Sequence, residues 1–539
     1  MKIRLVLIAL LVATVSLFSG FADLALSAGA DAKKNADVLR LGLHVSGMGK
    51  LDPHFAAGSQ DRAFADMVFN GLLRYKPGEA PKIEPDLAKS LPEFEMVGKK
   101  QVWTVSLKKG VMFHSAPDLS SYEMTADDVV YSLQKTADPK FSAYAGDYSN
   151  WEVKAVDRYN IKITLQEPVS SVLFLPKLTN YAGGFIVSKK AIESFGYDEF
   201  SKRPIGTGPF KFHSYEQGKK LTLRTNDNYF RGKPFLAGVE IHFYPDLAER
   251  ERRFLEDDLD VIIGSGAKGW IERIEKMEGV IIDTFGVGEV ATLFFNITSA
   301  PLDDIRVRRA IAYALDRGAF LDTTSKQIAE KVFSPVPEMF LPGGLNKEEV
   351  DGLGLAYQKN INEAKKLLAE AGYEKGFTLD LVASEKRIYR SLYKVLQDEL
   401  SQVGITCDIK EVKHSEMHRQ IRKAPKPLVI YPAWRPNADA YLTRFFHSDS
   451  TVVTGEKPDT NFSHYAAVDK IIEDARLEIY PERQINLWKQ AQIRILSDMA
   501  AYPLLYSRQM FARKSTVDYG HSLESTMALY PQITERTKL

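Results

Sequence analysis

Residues 260–274 read DVIIGSGAKGWIERI. A short apolar run, Val261-Ile262-Ile263, meets Gly264-x-Gly266-x-x-Gly269, and a helical-looking stretch follows. Nineteen residues beyond Gly264, Asp283 ends a second apolar run, VIID. Strand, glycine turn, helix and distant acid together form the dinucleotide-binding fingerprint, in which the acid holds the ribose hydroxyls. The competing reading is a glycine-rich turn inside some other α/β sheet. The rest of the chain decides between them.

The first residues speak about location. Lys2 and Arg4 precede an apolar core from Leu5 to about Phe18, and Ala28-Gly29-Ala30 fits an A-x-A cleavage site. This pattern predicts a secretory signal peptide over 1–30, because its core is shorter than the roughly 20 residues of a membrane-spanning helix. Cys407 is the only cysteine, so no intramolecular disulfide can form and no cysteine offers a lipid attachment point near the cleavage site. A single cysteine in GITCDIK reads as core packing. These features predict a soluble periplasmic protein. Without residues 1–30, 69 basic and 69 acidic side chains balance, so nothing draws the chain to nucleic acid or anionic lipid. About 509 residues exceed one hydrophobic core, so two or three domains are expected.

No low-complexity tract, internal repeat or Gly/Ser linker interrupts the chain. Strand patterns occur at 38–43, 101–107, 160–165, 221–225, 239–244, 291–297, 377–382 and 404–412. Helical patterns occur at 304–316, 361–371, 389–402, 467–479 and 482–498. Asp303 and Asp304 suit the N-terminus of the first of these, and Gly372 suits the end of the second. The mixture predicts an α/β fold.

Several landmarks follow in one order: LDPHF (51–55), VFNGLLRY (68–75), WTVSLKKGVMFH (103–114), TADDVVYSL (125–133), IGTGPFKF (205–212), FFNITSAPLDDIRVRRAIAYALDR (294–317) and EAKKLLAEAGY (363–373). The chain resembles the dipeptide/oligopeptide class (family 5) of extracellular solute-binding proteins of ABC importers, over nearly its whole mature length. The resemblance implies a type II-like periplasmic binding protein fold with two lobes and a hinge. Lobe I is expected from 31–74, 196–290 and 505–539, with an extra domain at 75–195, and lobe II from 291–504. Closure of the lobes around a ligand is expected to select the state that the membrane permease recognises.

Within that frame the glycine motif reads as a turn between a short strand and a helix, with Asp260 in place of an acid found in the family, and not as a cofactor site. No cofactor and no metal are expected. His414-x-x-x-His418 could offer two imidazoles to a metal, but no third ligand is evident and the pair reads as an exposed helix ridge. Ser132-x-x-Lys135 and Ser265-x-x-Lys268 match a serine acyltransferase spacing without the companion motifs. With no HExxH, GxSxG or Walker A motif, no enzyme activity is expected, and a periplasmic hydrolase is disfavoured. Gly206-x-Gly208-Pro209 reads as a tight turn, and Arg306, Arg308 and Arg309 as a solvated or salt-bridged helix face.

The segment YPAWRPNADAYLTRFFHSDS (431–450) carries most of the site expectation. In the resembled peptide binders a tryptophan-led strand lies along the ligand, and an aspartate three residues later binds the peptide's free amino group. Trp434 is present here, but the later position is Asn437, which cannot neutralise an ammonium. Asp439 is the substitute candidate, and Arg435 adds donors suited to a carboxylate. By position, the resemblance adds Ser59, Gln60, Asp61, Tyr144, Thr292 and Tyr506 to the ligand-binding set. The expected function is capture of a peptide or related small solute for an ABC permease and ATPase complex at the inner membrane, by a monomer. An opine, an oligosaccharide, or ligand presentation to a membrane sensor are the alternatives.

Overall fold

The computed structural model describes residues 37–181 and 183–539; the expected signal peptide at 1–30 lies outside the described residues. Nine strands among them form one large mixed sheet: β1 (Val38–Leu43), β2 (Phe210–Glu216), β3 (Lys220–Thr225), β4 (Gly238–Phe243), β5 (Val261–Ile263), β6 (Val280–Phe295), β7 (Ala329–Lys331), β8 (Leu428–Ala433) and β9 (Ala501–Lys514). Their order is β8-β6-β9-β5-β1-β4-β3-β2, with β7 added on β9.

Two lobes share this sheet because β6 and β9 are long enough to serve both. They run antiparallel, pairing Val280 with Lys514 at one end and Phe294 with Ala501 at the other. The ladder is irregular between Phe285 and Glu289. On one side of that break β9 also pairs with β5; on the other, β6 pairs with β8. The apolar packing divides at the same place. One core draws on residues between Val290 and Tyr506, the other on residues between Leu39 and Phe285 together with Phe511 to Ile533. A four-stranded antiparallel sheet (93–97, 100–106, 160–165, 151–157) packs into the second of these cores. The helix Ala126–Ala137 is anchored there by a buried ion pair, Lys135 Nζ to Asp52 at 2.8 Å. That pairing explains the Ser132-x-x-Lys135 spacing. The Ser132 hydroxyl donates to the Asp128 carbonyl at 2.7 Å, so both residues serve the fold. The Ser265 match involves Lys268, whose side chain lies outside the described residues.

The opening stretch does fold as strand, loop and helix, with β5 followed by Lys268–Ile274. Its glycines are filled by the protein itself. A Cβ on Gly264 would lie 2.4 Å from the Trp270 ring, and one on Gly266 2.6 Å from Ile328 Cδ1. Asp283, the would-be ribose acid, accepts from Arg513 Nε at 2.9 Å, and Asp260 holds Arg40. The loop is packed rather than open to a phosphate.

Three local expectations change. Gly206 and Gly208 do not adopt the left-handed conformation; they are needed because Cβ atoms there would meet the Val68 and Met67 carbonyls at 2.0 and 2.5 Å. Arg308 is not on a solvated face. It is buried and donates to the carbonyls of Leu302, Asp303 and Asp498, the last at the end of the helix Pro481–Ser497. His414 and His418 are half-buried rather than exposed, with Nε2 atoms 3.1 Å apart, and no group of three or more potential metal ligands occurs among the described residues. Cys407 is buried, and burial pushes its thiol up to about 11.

Candidate functional site

The two lobes meet where β6 leaves its ladder. Gly286 to Gly288 drop out of the backbone ladder with β9: Gly286 N donates to the Glu524 carbonyl at 2.8 Å, and Gly288 N to the side-chain hydroxyl of Tyr506, on β9, at 2.5 Å. Cβ atoms on these glycines would strike the Phe340 ring and the Ser507 carbonyl. The ladder with β9 resumes with Glu289 opposite Ser507, and on the other edge β8 ends at Ala433 opposite Val290, so Trp434 departs beside Glu289. Trp434 is where contact between lobes is made. Its ring stands edge-on to Tyr181, with centroids 5.8 Å apart, and the Arg62 guanidinium lies 4.8 Å from the Tyr181 ring and 5.6 Å from the Trp434 ring. Tyr75, Val287 and Met527 form the apolar ground under this contact. A second bridge links Ser170 to Gln484 at 2.6 Å, buried between the four-stranded-sheet region and the second lobe.

The structure gathers Trp434, Arg435 and Tyr506 around residues 286–290. Arg435 stacks on Phe445 at 4.7 Å and donates from Nη1 to the Trp434 carbonyl at 2.8 Å; burial lowers its pKa. Tyr506 is buried with its ring 5.4 Å from Phe340. Thr292 is buried within β6, between Tyr431 and Pro503.

The remaining expected residues are engaged with the protein. Asn437 caps the helix Ala438–Phe446, its side chain accepting from Ala440 N at 2.8 Å. Asp439 accepts from Arg476 Nε at 3.0 Å, in surroundings whose burial pushes its carboxyl up. Asp61 accepts from the backbone N–H groups of Gly49 and Gly58 at 3.0 and 3.1 Å, which fixes the start of the helix Ser59–Val68. Ser59 and Gln60, the first residues of that helix, are half-buried. Tyr144 donates to the Ala56 carbonyl, and its ring lies against Gly183, two residues beyond Tyr181.

Four residues at this corner escape sequence reasoning: Arg62, Tyr181, Glu289 and Lys386. Glu289 had one visible signal, a lone acid in the apolar stretch FGVGEVATL. Its side chain is reachable by water, yet the walls around it desolvate the carboxyl enough to raise its pKa against the opposing pull of Lys386 and Arg435. Chemically the corner offers an aromatic wall, several cationic donors and one carboxylate. Such a set can bind and orient a charged small molecule. Ser384, 3.1 Å from His414 Nδ1, is fully buried and lies under the Lys386 backbone N–H, so it presents no accessible nucleophile.

Residues 82–452 match the model of the bacterial extracellular solute-binding proteins, family 5. The dipeptide-binding protein of Escherichia coli K12 is 26% identical over 494 residues, covering 86% of this chain and 88% of that one. Heme-binding protein A of Haemophilus influenzae is 24% identical, covering 84% of this chain and 83% of its own. Among solved structures, MoaA of A. tumefaciens R10 in complex with mannopinic acid is 37% identical, with a TM-score of 0.74, covering 93% of this chain and 99% of that one.

Proposed function

The chain belongs to the family 5 bacterial extracellular solute-binding proteins, and from that premise we propose that its solute is an opine-type conjugate of an amino acid and a sugar. Members of the family capture a peptide or related small solute between two lobes and deliver it to an ABC importer, and this chain does the same. Its place of action is outside the cytoplasmic membrane. The finer setting is the periplasm, reached by the signal peptide at 1–30, with a permease and ATPase pair in the inner membrane as partner.

One observation carries the choice of solute. No carboxylate after Trp434 is free to meet a peptide's ammonium, because Asn437 caps a helix and Asp439 holds Arg476. A buried ammonium without a counter-charge costs several kcal/mol, so a peptide's amino end loses its expected anchor at this position and a solute's nitrogen has to be neutralised from another element. The likeness to the mannopinic acid protein at 37% identity points the same way. No other ligand chemistry is favoured as strongly by the corner around Trp434, whose ring can cover a sugar face.

Thermal unfolding tests this. A ligand at 100 times its dissociation constant adds about 2.7 kcal/mol. Mannopinic acid is expected to raise the unfolding midpoint of the mature protein while the dipeptide Met-Leu leaves it unchanged. Stabilisation by Met-Leu alone would return the protein to the peptide binders.

A further inference from the structure

The corner around Trp434 holds polar groups that the protein does not satisfy. Among the described residues, Glu289 makes no hydrogen bond or ion pair, although it lies at the strand crossing beside Trp434. Lys386 precedes the helix Arg387–Ser401, and its ammonium also has no partner at bonding distance. The side chain is exposed and starts beside Ser384, whose hydroxyl accepts from the Lys386 backbone N–H at 3.1 Å, and its charge acts on Glu289. The Nε atoms of Arg62 and Arg435 and the Nε1 atom of Trp434 are buried donors with no acceptor. Buried donors are nearly always paired in native proteins. Three of them in one corner, converging from both lobes, point to acceptors supplied by a bound molecule.

The charges also define that molecule. Arg62, Arg435 and Lys386 set three cations against the one unpaired carboxylate of Glu289, since Asp459 beside Arg435 is held by Arg444 and Asp147 near Tyr181 by Lys177. A neutral zwitterion such as a dipeptide would leave a positive excess. A solute with two acidic groups and one basic nitrogen balances the set more closely.

We propose that Glu289 is the counter-charge for a basic nitrogen of the solute, and that Lys386 and Arg435 receive the carboxylates flanking it, so the cleft selects N-substituted amino acids of net negative charge. This inference rests on the reading of the cleft as the solute site. It gives Glu289, on the strand between the lobes, the neutralising role that Asn437 and Asp439 cannot fill. A ligand nitrogen held there touches the segment where the lobes join.

Titration calorimetry with mannopinic acid on the wild type, Glu289→Gln, Glu289→Asp and Lys386→Met decides the point. Removing one member of a desolvated charge pair weakens binding by about 30-fold or more. Glu289→Gln is expected to lose that much, Glu289→Asp to keep part of the affinity, and Lys386→Met to lose about 10-fold, each with an unchanged unfolding midpoint for the free protein. An analogue with oxygen in place of the basic nitrogen is expected to bind wild type and Glu289→Gln equally. Glu289→Gln binding mannopinic acid within twofold of wild type overturns the proposal. If the wild type ignores mannopinic acid and takes up Met-Leu, the opine reading alone has failed. The same comparison on Met-Leu then decides the role of Glu289: loss in Glu289→Gln supports it, and retained affinity overturns it.

Discussion

Asn437 shows how one side chain can look like a site and be a scaffold. Its position after Trp434 invited a ligand role, yet its oxygen closes the first turn of Ala438–Phe446. An N-cap needs an acceptor, and Asn supplies one as well as Asp does. The sequence could mark the missing negative charge at this position; it could not show that Glu289, 148 residues earlier, stands at the same corner. Trp434 entered the candidate set through its place in a segment that resembles the peptide binders, and the structure puts its ring against Tyr181 and Arg62. Trp434→Ala is expected to weaken solute binding by about 30-fold or more while the far-UV spectrum and unfolding midpoint of the free protein stay in place; unchanged affinity would remove 431–440 from the site. A second residue-scale expectation concerns Asp66. Burial pushes its carboxyl up to about 6, although Asn180 and Gln532 donate to it. The unfolded value is about 3.9, so the folded chain binds this proton more tightly than the unfolded one. That contribution to stability is complete below about pH 4 and is lost as pH rises through about 6. Asp66→Asn is expected to flatten stability between pH 4.5 and 7, read from urea midpoints; an unaltered slope would assign the effect elsewhere.

Elements were legible where a local period dominates. The helices at 361–371 and 389–402 lie within two residues of Ile361–Glu370 and Arg387–Ser401, and strands 38–43 and 160–165 match in full. Elements that depend on distant partners were harder to see. β6 runs 16 residues through both lobes, but only its second half carried a strand pattern, because GVG at 286–288 breaks the alternation where the chain changes partners. The arginines of Ile305–Ala314 misled for a similar reason. A charged side chain on an amphipathic helix usually meets water, but Arg308 meets the Asp498 carbonyl at the C-terminal end of another helix about 190 residues away, and those of Leu302 and Asp303 beside its own. Helix ends leave carbonyls without partners, and a guanidinium can serve several at once. Arg308→Met is expected to lower stability by about 2–4 kcal/mol, measured by urea unfolding, through the loss of these charged hydrogen bonds. A loss below about 0.5 kcal/mol would mean that water replaces the guanidinium without penalty.

At the scale of the molecule, two strands carry the sheet from one core into the other. The hinge glycines fit that duty sterically, since a Cβ at Gly288 would lie 1.6 Å from the Ser507 carbonyl. Gly288→Ala is expected to force β6 and β9 apart, to cost about 1–3 kcal/mol in thermal unfolding, and to change the compaction that solute binding produces in small-angle scattering. Normal stability and normal compaction would show that the crossing is more plastic than its packing. The same two-strand connection has a consequence in time. The core of the second lobe draws on one unbroken stretch, 290–506, and can assemble as soon as that stretch exists. The first is completed later, because β5 and the first half of β6 wait for residues 509–514, and the segment after them closes the core at Tyr530 and Ile533. Contacts so distant in sequence form late. In pulse-labelled refolding, amide protection should therefore arise in 290–506 first and in Val261–Ile263 last. For a chain that works on the far side of a membrane, this ordering bears on synthesis: β5, made early, waits for a strand made about 250 residues later, and that later strand acts as the latch.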